Sequence, residues 1–232
     1  MTSIVVSKNQ EVVKSCKVHL LHLQVQDVAK KIDEVFFAIS DVSWIEKLLN
    51  KDSAKISYRV AAQKTIKALG EGIFKNHGGA LTEDVGEYII SVAAIDVLER
   101  ELSHLTLPIS ELWKEKTSRN HGFDFHSRTP ENILVFGEAK YSSNSSSYGR
   151  AYDQIIDFIA GNKDEIDLVH LENFVGVFPI ERFKSGFKAY SAAFALKGKN
   201  PGKAMLRASR SKKLKPLLNY SEIYIIGVEF LT

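Results

Sequence analysis

The stretch of sequence that decides the fold is GFDFHSRTPENILVFGEAK, residues 122–140. Two β-favouring apolar runs flank the turn-forming tetrapeptide TPEN, which is the pattern of a β-hairpin. The second run, ILVF, is apolar without interruption and predicts a strand that is buried on both faces. Asp124 interrupts the first run, and Glu138 and Lys140 follow the second. Because burying a charge is costly unless it is paired or binds a metal, this stretch predicts a functional site.

The chain as a whole has the size and composition of one globular domain. Its 232 residues are 44% hydrophobic and 25% charged, which is enough apolar material for one substantial core. We expect a single domain over 1–232, in which a strand and helix region (1–80) packs on a core with a basic C-terminal region (81–232). The sequence holds no apolar run of the ~18 residues that a transmembrane helix needs and no secretory signal, so we expect a cytoplasmic protein with no membrane partner. Cys16 is the only cysteine, which excludes an intrachain disulfide and disfavours a structural zinc site.

Hydrophobic periodicity divides the chain into helices and strands. Helical spacing predicts helices at 27–39, 57–75, 84–103 and 149–161. Asp27 is the candidate N-cap of the first helix, and Thr82 or Glu83 opens the third. β-favouring runs predict strands at 17–26, 121–126, 132–140, 173–180 and 222–231, and polar stretches predict loops at 142–147 and 197–203. The order of helix, hairpin, helix and strand indicates an α/β domain with a mixed β-sheet flanked by helices.

Positive charge is concentrated in residues 181–215, which we call the basic segment. It holds eleven basic residues and one acidic residue, a net charge of +10, so that the rest of the chain sums to −7. This asymmetry predicts a surface that faces a polyanion such as DNA, although a solvated loop rich in lysine for solubility is the alternative. The candidate DNA-binding residues are Arg182, Lys184, Lys188, Arg207, Arg210, Lys212 and Lys213.

The charges at the end of the hairpin have the chemistry of a metal site. Glu138 and Lys140 are two residues apart and therefore project from the same face of a strand. If the two runs pair, Asp124 can converge with them, although the sequence does not fix the register. Two carboxylates suit Mg²⁺, which prefers oxygen ligands and keeps waters or substrate phosphate oxygens, with Mn²⁺ as a substitute. A lysine beside them can orient and help to deprotonate an attacking water.

The order Asp124, a strand-length gap, then Glu138-Ala139-Lys140 resembles the motif of the PD-(D/E)xK, or restriction-endonuclease-like, nuclease superfamily. The predicted elements from about 84 to 180 are similar to the core of that superfamily, while Phe123 stands where its proline would be. More narrowly, the chain length and the stretches SRNHGFDFH and LVFGEAK resemble the HamA family, effector subunits of the Hachiman antiphage defence system that work with the helicase subunit HamB. The resemblance implies a metal-dependent nuclease that cleaves DNA with little sequence specificity and is restrained or activated by a helicase.

The resemblance also implies roles for individual residues. Asp124 and Glu138 would hold the metal, and Lys140 would act on the water. Glu87, on the first core helix, would be a further metal ligand. Its acidic neighbours in the first turn, Glu83 and Asp84, leave a second interpretation open, in which all three complement the positive end of the helix.

Other polar residues have weaker signals. Tyr152 and Gln154, on the helix after the motif, resemble positions that line such active sites, but they are equally compatible with a surface. His121 and His126 flank the motif aspartate and are a conceivable second metal pair, although a surface role on the hairpin is favoured. The histidine pair in HLLH (19–22) has no carboxylate beside it in sequence and is expected to be structural.

Two functions from different classes remain open. The first is a Mg²⁺-dependent deoxyribonuclease, and the second is a non-catalytic subunit that keeps the fold to bind DNA or a helicase. Degenerate relatives of the superfamily typically lose the carboxylates or the lysine. The motif here is complete, which favours the enzyme.

Overall fold

The computed structural model describes residues 2–49, 52–71, 81–114 and 122–231. The strands in these ranges are β1 (Ser3–Val13), β2 (Cys16–Val25), β3 (Leu105–Thr106), β4 (Phe125–Arg128), β5 (Leu134–Lys140), β6 (Lys188–Leu196) and β7 (Glu222–Phe230). The α-helices are α1 (Val28–Ser40), α2 (Asp52–Leu69), α3 (Glu83–Leu102), α4 (Tyr148–Ala160), α5 (Lys163–Val175), α6 (Val177–Lys184) and α7 (Pro201–Ser209). Short 3-10 helices span Ser43–Lys47, Ser110–Leu112 and Lys212–Asn219.

All of these strands join one sheet in the order β1-β2-β7-β6-β5-β4-β3. The four central strands β2, β7, β6 and β5 run parallel, while β1, β4 and β3 are antiparallel to their neighbours. Helices α3 and α4 pack on β5 and β6, which leaves every residue of β5 buried. The predicted α/β class, with a mixed sheet flanked by helices, is therefore confirmed. Within the described ranges, no helix is long and apolar enough to cross a membrane.

The predicted hairpin of β4 and β5 is also confirmed. Asn132 adopts a positive φ of 62° and donates its N–H to the Thr129 carbonyl, which closes the turn. Phe125 pairs with Gly137 across the two strands. A Cβ atom at Gly137 would lie 2.2 Å from the Phe125 ring, so only glycine permits this close approach. The glycine that precedes the motif thus fixes the register of the hairpin.

The predicted helix starts agree with the observed caps. The Asp27 side chain accepts a hydrogen bond from Lys30 N at 2.9 Å, and the Thr82 hydroxyl accepts one from Val85 N at 3.3 Å. The helix predicted at 149–161 is α4. Helix α2 begins before the predicted position 57, and the end of that prediction lies outside the described residues.

The strand predicted at 173–180 is wrong. Helix α5 ends there and α6 begins there, with Gly176 at a φ of 77° between them. Pro179 is tolerated because it lies in the first turn of α6, where backbone N–H groups have no partner within the helix. The strand that follows α4 in the sheet is instead β6, whose alanine-rich sequence gives a weak strand signal. Helix α7 likewise begins at Pro201, inside the stretch predicted to be a loop.

The histidines of β2 meet carboxylates of β7 across the parallel pairing. His19 Nε2 lies 3.2 Å from Glu222 Oε2, and His22 Nε2 lies 3.1 Å from Glu229 Oε2. The sequence around these histidines does not reveal the carboxylates, because β7 is about 200 residues away in sequence and only the strand register brings the groups together.

Glu222→Gln is expected to cost about 2–3 kcal/mol of unfolding free energy at pH 7. Burial alone would raise the pKa of Glu222, but hydrogen bonds from His19, Tyr224 and Lys17 lower this pKa from 4.5 to about 2. The ionised group therefore stabilises the fold above about pH 4.5, and this contribution disappears as the pH falls to about 2.

Urea unfolding at pH 7 and pH 3 measures this effect, with the half-buried Glu229→Gln as the control. The difference between Glu222→Gln and wild type should shrink at the lower pH. An equal difference at both pH values would contradict the ionic origin of the stabilisation.

Candidate active site

The hairpin brings Asp124 next to Glu138. The Asp124 N–H donates to the Gly137 carbonyl at 2.9 Å, which continues the strand pairing one residue beyond β4. Its carboxylate oxygen Oδ2 accepts the N–H of Ala139 at 2.7 Å. The register that the sequence left open therefore places the aspartate across from the Glu138-Ala139-Lys140 motif.

Glu138 and Lys140 project from one face of β5, as their spacing predicts. Glu138 Oε1 forms an ion pair with Lys140 Nζ at 2.7 Å. The Glu138 side chain is completely buried, and apart from this ion pair neither of its oxygens accepts a hydrogen bond from any residue that the structure describes. A buried carboxylate with unused acceptor positions is costly, and a bound cation would offset this cost.

Helix α3 adds Glu87 to the same site. A Cβ atom at Gly86 would lie 2.3 Å from the Tyr141 ring, so glycine allows the helix to pack directly on the end of β5. Glu87 Oε1 then lies 3.6 Å from Lys140 Nζ and accepts the Tyr141 N–H at 3.4 Å. Glu83, by contrast, turns outward to Arg150 at 2.6 Å. The structure thus directs Glu87 toward the motif lysine.

The electrostatics of the cluster favour additional positive charge. Burial raises the pKa of Glu138 well above its ordinary range, and the neighbouring Asp124 raises it further. Burial also raises the pKa of Asp124 and of Glu87, against the opposing charge of Lys140. Burial alone would lower the pKa of Lys140, but the surrounding carboxylates raise it. Three carboxylates around one ammonium group leave two negative charges uncompensated when all are ionised, which is the charge deficit that one divalent cation fills.

The carboxylates of Asp124 and Glu138 do not make a complete protein cage for a metal ion. Within the described parts of the chain, no group of three or more His, Cys, Asp or Glu side chains is arranged to hold a metal ion. Mg²⁺ commonly takes one or two carboxylates and completes its coordination with waters and substrate phosphates. Asp124 and Glu138 could supply those two carboxylates.

Two clefts reach the cluster from solvent. A cavity of about 140 Å³ is lined by Asp84, Glu87, Tyr88, Ser91, Ile109, Glu111 and Asp124. An open cleft of about 690 Å³ is lined by Glu83, Asp84, Glu87, Lys140, Arg150, Asp153, Gln154, Asp157 and Phe158. Because both clefts are acidic, a phosphate group would be repelled unless a cation is also present. Asp84 and Glu111, which the sequence did not single out, belong to this acidic lining.

Sequence comparison gives no family to which this site can be assigned. No protein-family model matches the chain, and no curated protein is similar to it. Its chemistry is therefore inferred from its own side chains.

Helix α4 presents the two residues of the predicted lining in different directions. Gln154 lines the open cleft. Tyr152 is completely buried and donates its hydroxyl to the Ala208 carbonyl of α7 at 3.2 Å. The prediction that Tyr152 lines the site is wrong, because this residue anchors α7 to the core.

His126 is buried, so the expected surface role is wrong. Its Nε2 lies 2.9 Å from Asp167 Oδ2, and its Nδ1 lies 3.0 Å from Ser110 Oγ. Burial lowers the pKa of His126 to about 4, so the neutral ring donates from Nε2 to Asp167 and accepts from Ser110. The proposed partner in a metal pair, His121, lies outside the described residues.

Asp167 is the centre of a buried polar hub that supports Asp124. Its Oδ2 also lies 2.6 Å from Lys114 Nζ, and that ammonium donates to the Phe123 carbonyl at 3.2 Å. Ser110 donates its N–H to the Asp124 carbonyl at 2.9 Å. The hub therefore holds the backbone on both sides of the motif aspartate. No sequence pattern identified it, because its members come from separate segments.

The first half of the basic segment lies far from the cluster. Arg182 and Lys184 are on α6, and Lys188 opens β6 opposite Leu134, at the start of β5. Lys140 lies at the other end of β5, about 20 Å along the strand. Lys188 also forms an ion pair with Asp164 at 3.0 Å. These cations are not brought to the acidic clefts.

The second half of the basic segment lies closer to the cluster. Arg207 is exposed on α7, and Arg210, Lys212 and Lys213 are exposed in the segment that follows it. Lys213 pairs with Asp153, a residue of the open cleft. The seven candidate DNA contacts are therefore spread over the molecule, and among them Lys213 contacts a residue of the open cleft.

Proposed function

We propose that this protein is a metal-dependent nuclease that hydrolyses phosphodiester bonds in DNA with little sequence specificity. The main support is the buried, incompletely satisfied carboxylate of Glu138 between Asp124 and Lys140, in a cluster that lacks positive charge. The order of α3, the β4–β5 hairpin, α4 and β6 supports a restriction-endonuclease-like core. Both features match what the resemblance to the PD-(D/E)xK superfamily implies.

In this proposal the carboxylates of the site hold a cation, and Lys140 contacts the attacking water and the substrate phosphate. Asp124 and Glu138 would hold Mg²⁺ or Mn²⁺, and Glu87 faces the same space from α3. Such an ion would supply positive charge to stabilise the charge that develops on the attacked phosphate. Lys140, whose Nζ lies 2.7 Å from Glu138 Oε1, would orient the attacking water and a phosphate oxygen and help to take up the proton that the water loses.

We further propose that the nuclease is the effector of an antiphage defence system and acts with a helicase partner. This part rests on the resemblance to the HamA family. A nuclease without sequence specificity would also damage the DNA of its own host, so a restraining partner is physically reasonable.

The direct test uses the purified chain, alone and with the helicase product of a neighbouring gene, on plasmid and linear DNA with Mg²⁺ or EDTA. We expect cleavage with Mg²⁺ and none with EDTA. The competing function is a non-catalytic subunit. The observation in its support is that Lys140 already forms ion pairs with Glu138 and Glu87, so these charges are partly neutralised without a metal. DNA or helicase binding without cleavage under any of these conditions would establish that alternative.

Glu87→Gln is expected to raise the Mg²⁺ concentration needed for half-maximal cleavage by about 10-fold, a typical effect of weakening a metal site at its periphery. The reason is that Glu87 faces Lys140 and the acidic cavity, so its charge contributes to cation binding. A Mg²⁺ titration of the cleavage rate measures the shift.

Glu99→Gln is the matched control, since it removes an exposed carboxylate near the other end of the same helix, outside the lining of both clefts. Its titration should coincide with that of wild type. If Glu87→Gln also leaves the titration unchanged, Glu87 only complements the helix terminus.

A further inference from the structure

A second cleft, separate from the acidic site, has a lining that is strongly basic. It has a volume of about 480 Å³ and is bounded by the loop at 142–147, the loop after β6 and the start of α7. Its polar lining includes Ser145, Ser146, Lys197, Lys199, Lys203 and Arg207, and it contains no carboxylate. We call it the basic cleft.

The cations of the basic cleft are available to a ligand. Lys199, Lys203 and Arg207 are exposed, and none of them forms an ion pair with any described residue. This distinguishes them from Lys188 and Lys213, whose charges are partly neutralised by Asp164 and Asp153. Four positive charges within one concave surface repel one another, and an anion with several oxygens would relieve that repulsion.

The walls of the basic cleft are held in place by the fold. Ser146 Oγ accepts the Lys197 N–H at 3.1 Å, which joins the two loops. Lys197 Nζ lies over the rings of Tyr141 and Phe230, 5.3 Å and 5.7 Å from their centres. The side chain of Asn200 accepts the Lys203 N–H at 2.9 Å and caps α7. The cleft is thus preorganised, which lowers the entropy cost of binding.

The basic cleft and the acidic site lie at the same end of the sheet, next to the C-terminal ends of the parallel strands β5 and β6. Lys140 pairs with Phe194 in the parallel strands β5 and β6, and Lys197 follows three residues later, about 10 Å further along. Tyr141, under the Lys197 ammonium, directly follows the motif lysine. A polymer with phosphates at regular intervals could therefore occupy both places.

We propose that the basic cleft binds a backbone phosphate of the nucleic acid strand that has another of its phosphates at Lys140. This inference rests on the proposed nuclease function and adds a specific phosphate site to it, made largely of residues outside the predicted DNA contacts. The serine hydroxyls and lysine ammonium groups contact phosphate oxygens and no base edges, so the cleft fixes the position of the strand without reading its sequence. It compensates for the acidic lining of the site next to it.

The test is DNA binding by the full chain with the triple substitution Lys199→Gln, Lys203→Gln and Arg207→Gln, in a non-cleaving Glu138→Gln background. Fluorescence anisotropy with a labelled oligonucleotide should show a Kd that is at least about 10-fold weaker at low salt. The slope of log Kd against log salt concentration should fall by about 0.7–0.9 for each phosphate that the variant no longer neutralises. The double substitution Lys30→Gln and Lys47→Gln, at exposed positions on other elements, is the matched control and should bind like the background protein.

The phosphate bound in the basic cleft could belong to a nucleic acid strand or to a free nucleotide. Thermal unfolding with a free nucleoside triphosphate distinguishes these two sources. If the triple variant loses thermal stabilisation by a triphosphate but keeps full DNA affinity, the basic cleft binds a nucleotide and the strand proposal is wrong. Unchanged DNA affinity and salt slope overturn it as well. Weaker DNA binding by the triple variant supports it even where the wild-type protein cleaves nothing, an outcome that overturns only the proposed nuclease function.

Discussion

Glu138→Gln is expected to lower the rate of Mg²⁺-dependent DNA cleavage by at least about 10³-fold while the protein stays folded. Glutamine keeps the shape of the side chain and removes its charge. Glu138 is completely buried, and apart from the ion pair with Lys140 its oxygens accept no hydrogen bond from described residues. After the substitution, Lys140 still has Glu87 as an acidic partner, so the fold should be retained. What the substitution removes is one of the two carboxylates proposed to hold the metal.

The same substitution has an expected effect on stability. Burial raises the pKa of Glu138 well above its ordinary value of 4.5, so the folded protein holds that proton more tightly than the unfolded chain does. The contribution of this group to stability therefore falls as the pH rises above about 4.5. At neutral pH and without metal, Glu138→Gln should be at least as stable as wild type. Addition of Mg²⁺ should raise the Tm of wild type and leave that of the variant nearly unchanged.

Cleavage assays and thermal unfolding with and without Mg²⁺ measure both effects. Glu131→Gln is the matched control, because it removes an exposed carboxylate from the turn of the same hairpin. The control should keep both the wild-type rate and the wild-type response to Mg²⁺. Cleavage by Glu138→Gln at the wild-type rate would exclude Glu138 as a metal ligand, whatever its effect on stability.

Local patterns predicted the hairpin and the motif because the relevant interactions are close in sequence. The two-residue period of a strand places Glu138 and Lys140 on one face, and their ion pair of 2.7 Å follows from that period. The position of Asp124 depends on the register, which is fixed by the fit of Phe125 against Gly137. The contact of the Phe125 ring with the glycine backbone exists only after the strands have paired, so the sequence alone does not show it.

Features that depend on distant segments could not be predicted from local patterns, and only the resemblance to the nuclease superfamily pointed to Glu87. The approach of Glu87 depends on the packing of α3 against β5 at Gly86 and Tyr141. The basic segment looked uniform in sequence, yet strand β6 separates its first cations from the later ones by its whole length. Strand β6 was missed for a related reason: its alanines have a weak strand propensity, and they are buried because helices α3 and α4 pack on this strand.

The buried hub at Asp167 carries the second large expected effect. Asp167→Asn should lower the unfolding free energy by about 3–5 kcal/mol, the usual cost of removing one partner of a buried ion pair. Asp167 Oδ2 is shared by Lys114 Nζ at 2.6 Å and His126 Nε2 at 2.9 Å, and all three side chains are largely buried. Asparagine leaves the Lys114 charge without its counterion. Urea unfolding at neutral pH measures the loss.

Two comparisons separate this effect from a general loss of polar contacts. Asp153→Asn removes the acidic partner of an exposed ion pair with Lys213 and should cost less than about 1 kcal/mol. The double variant Asp167→Asn with Lys114→Met no longer buries an unpaired charge, so it should recover part of the stability, and the two single changes should not be additive. Because Lys114 and Ser110 hold the backbone on either side of Asp124, Asp167→Asn should also weaken Mg²⁺-dependent cleavage under conditions where it remains folded. If Asp167→Asn is no more destabilising than Asp153→Asn, the hub does not hold the hairpin, and the position of Asp124 depends on strand pairing alone.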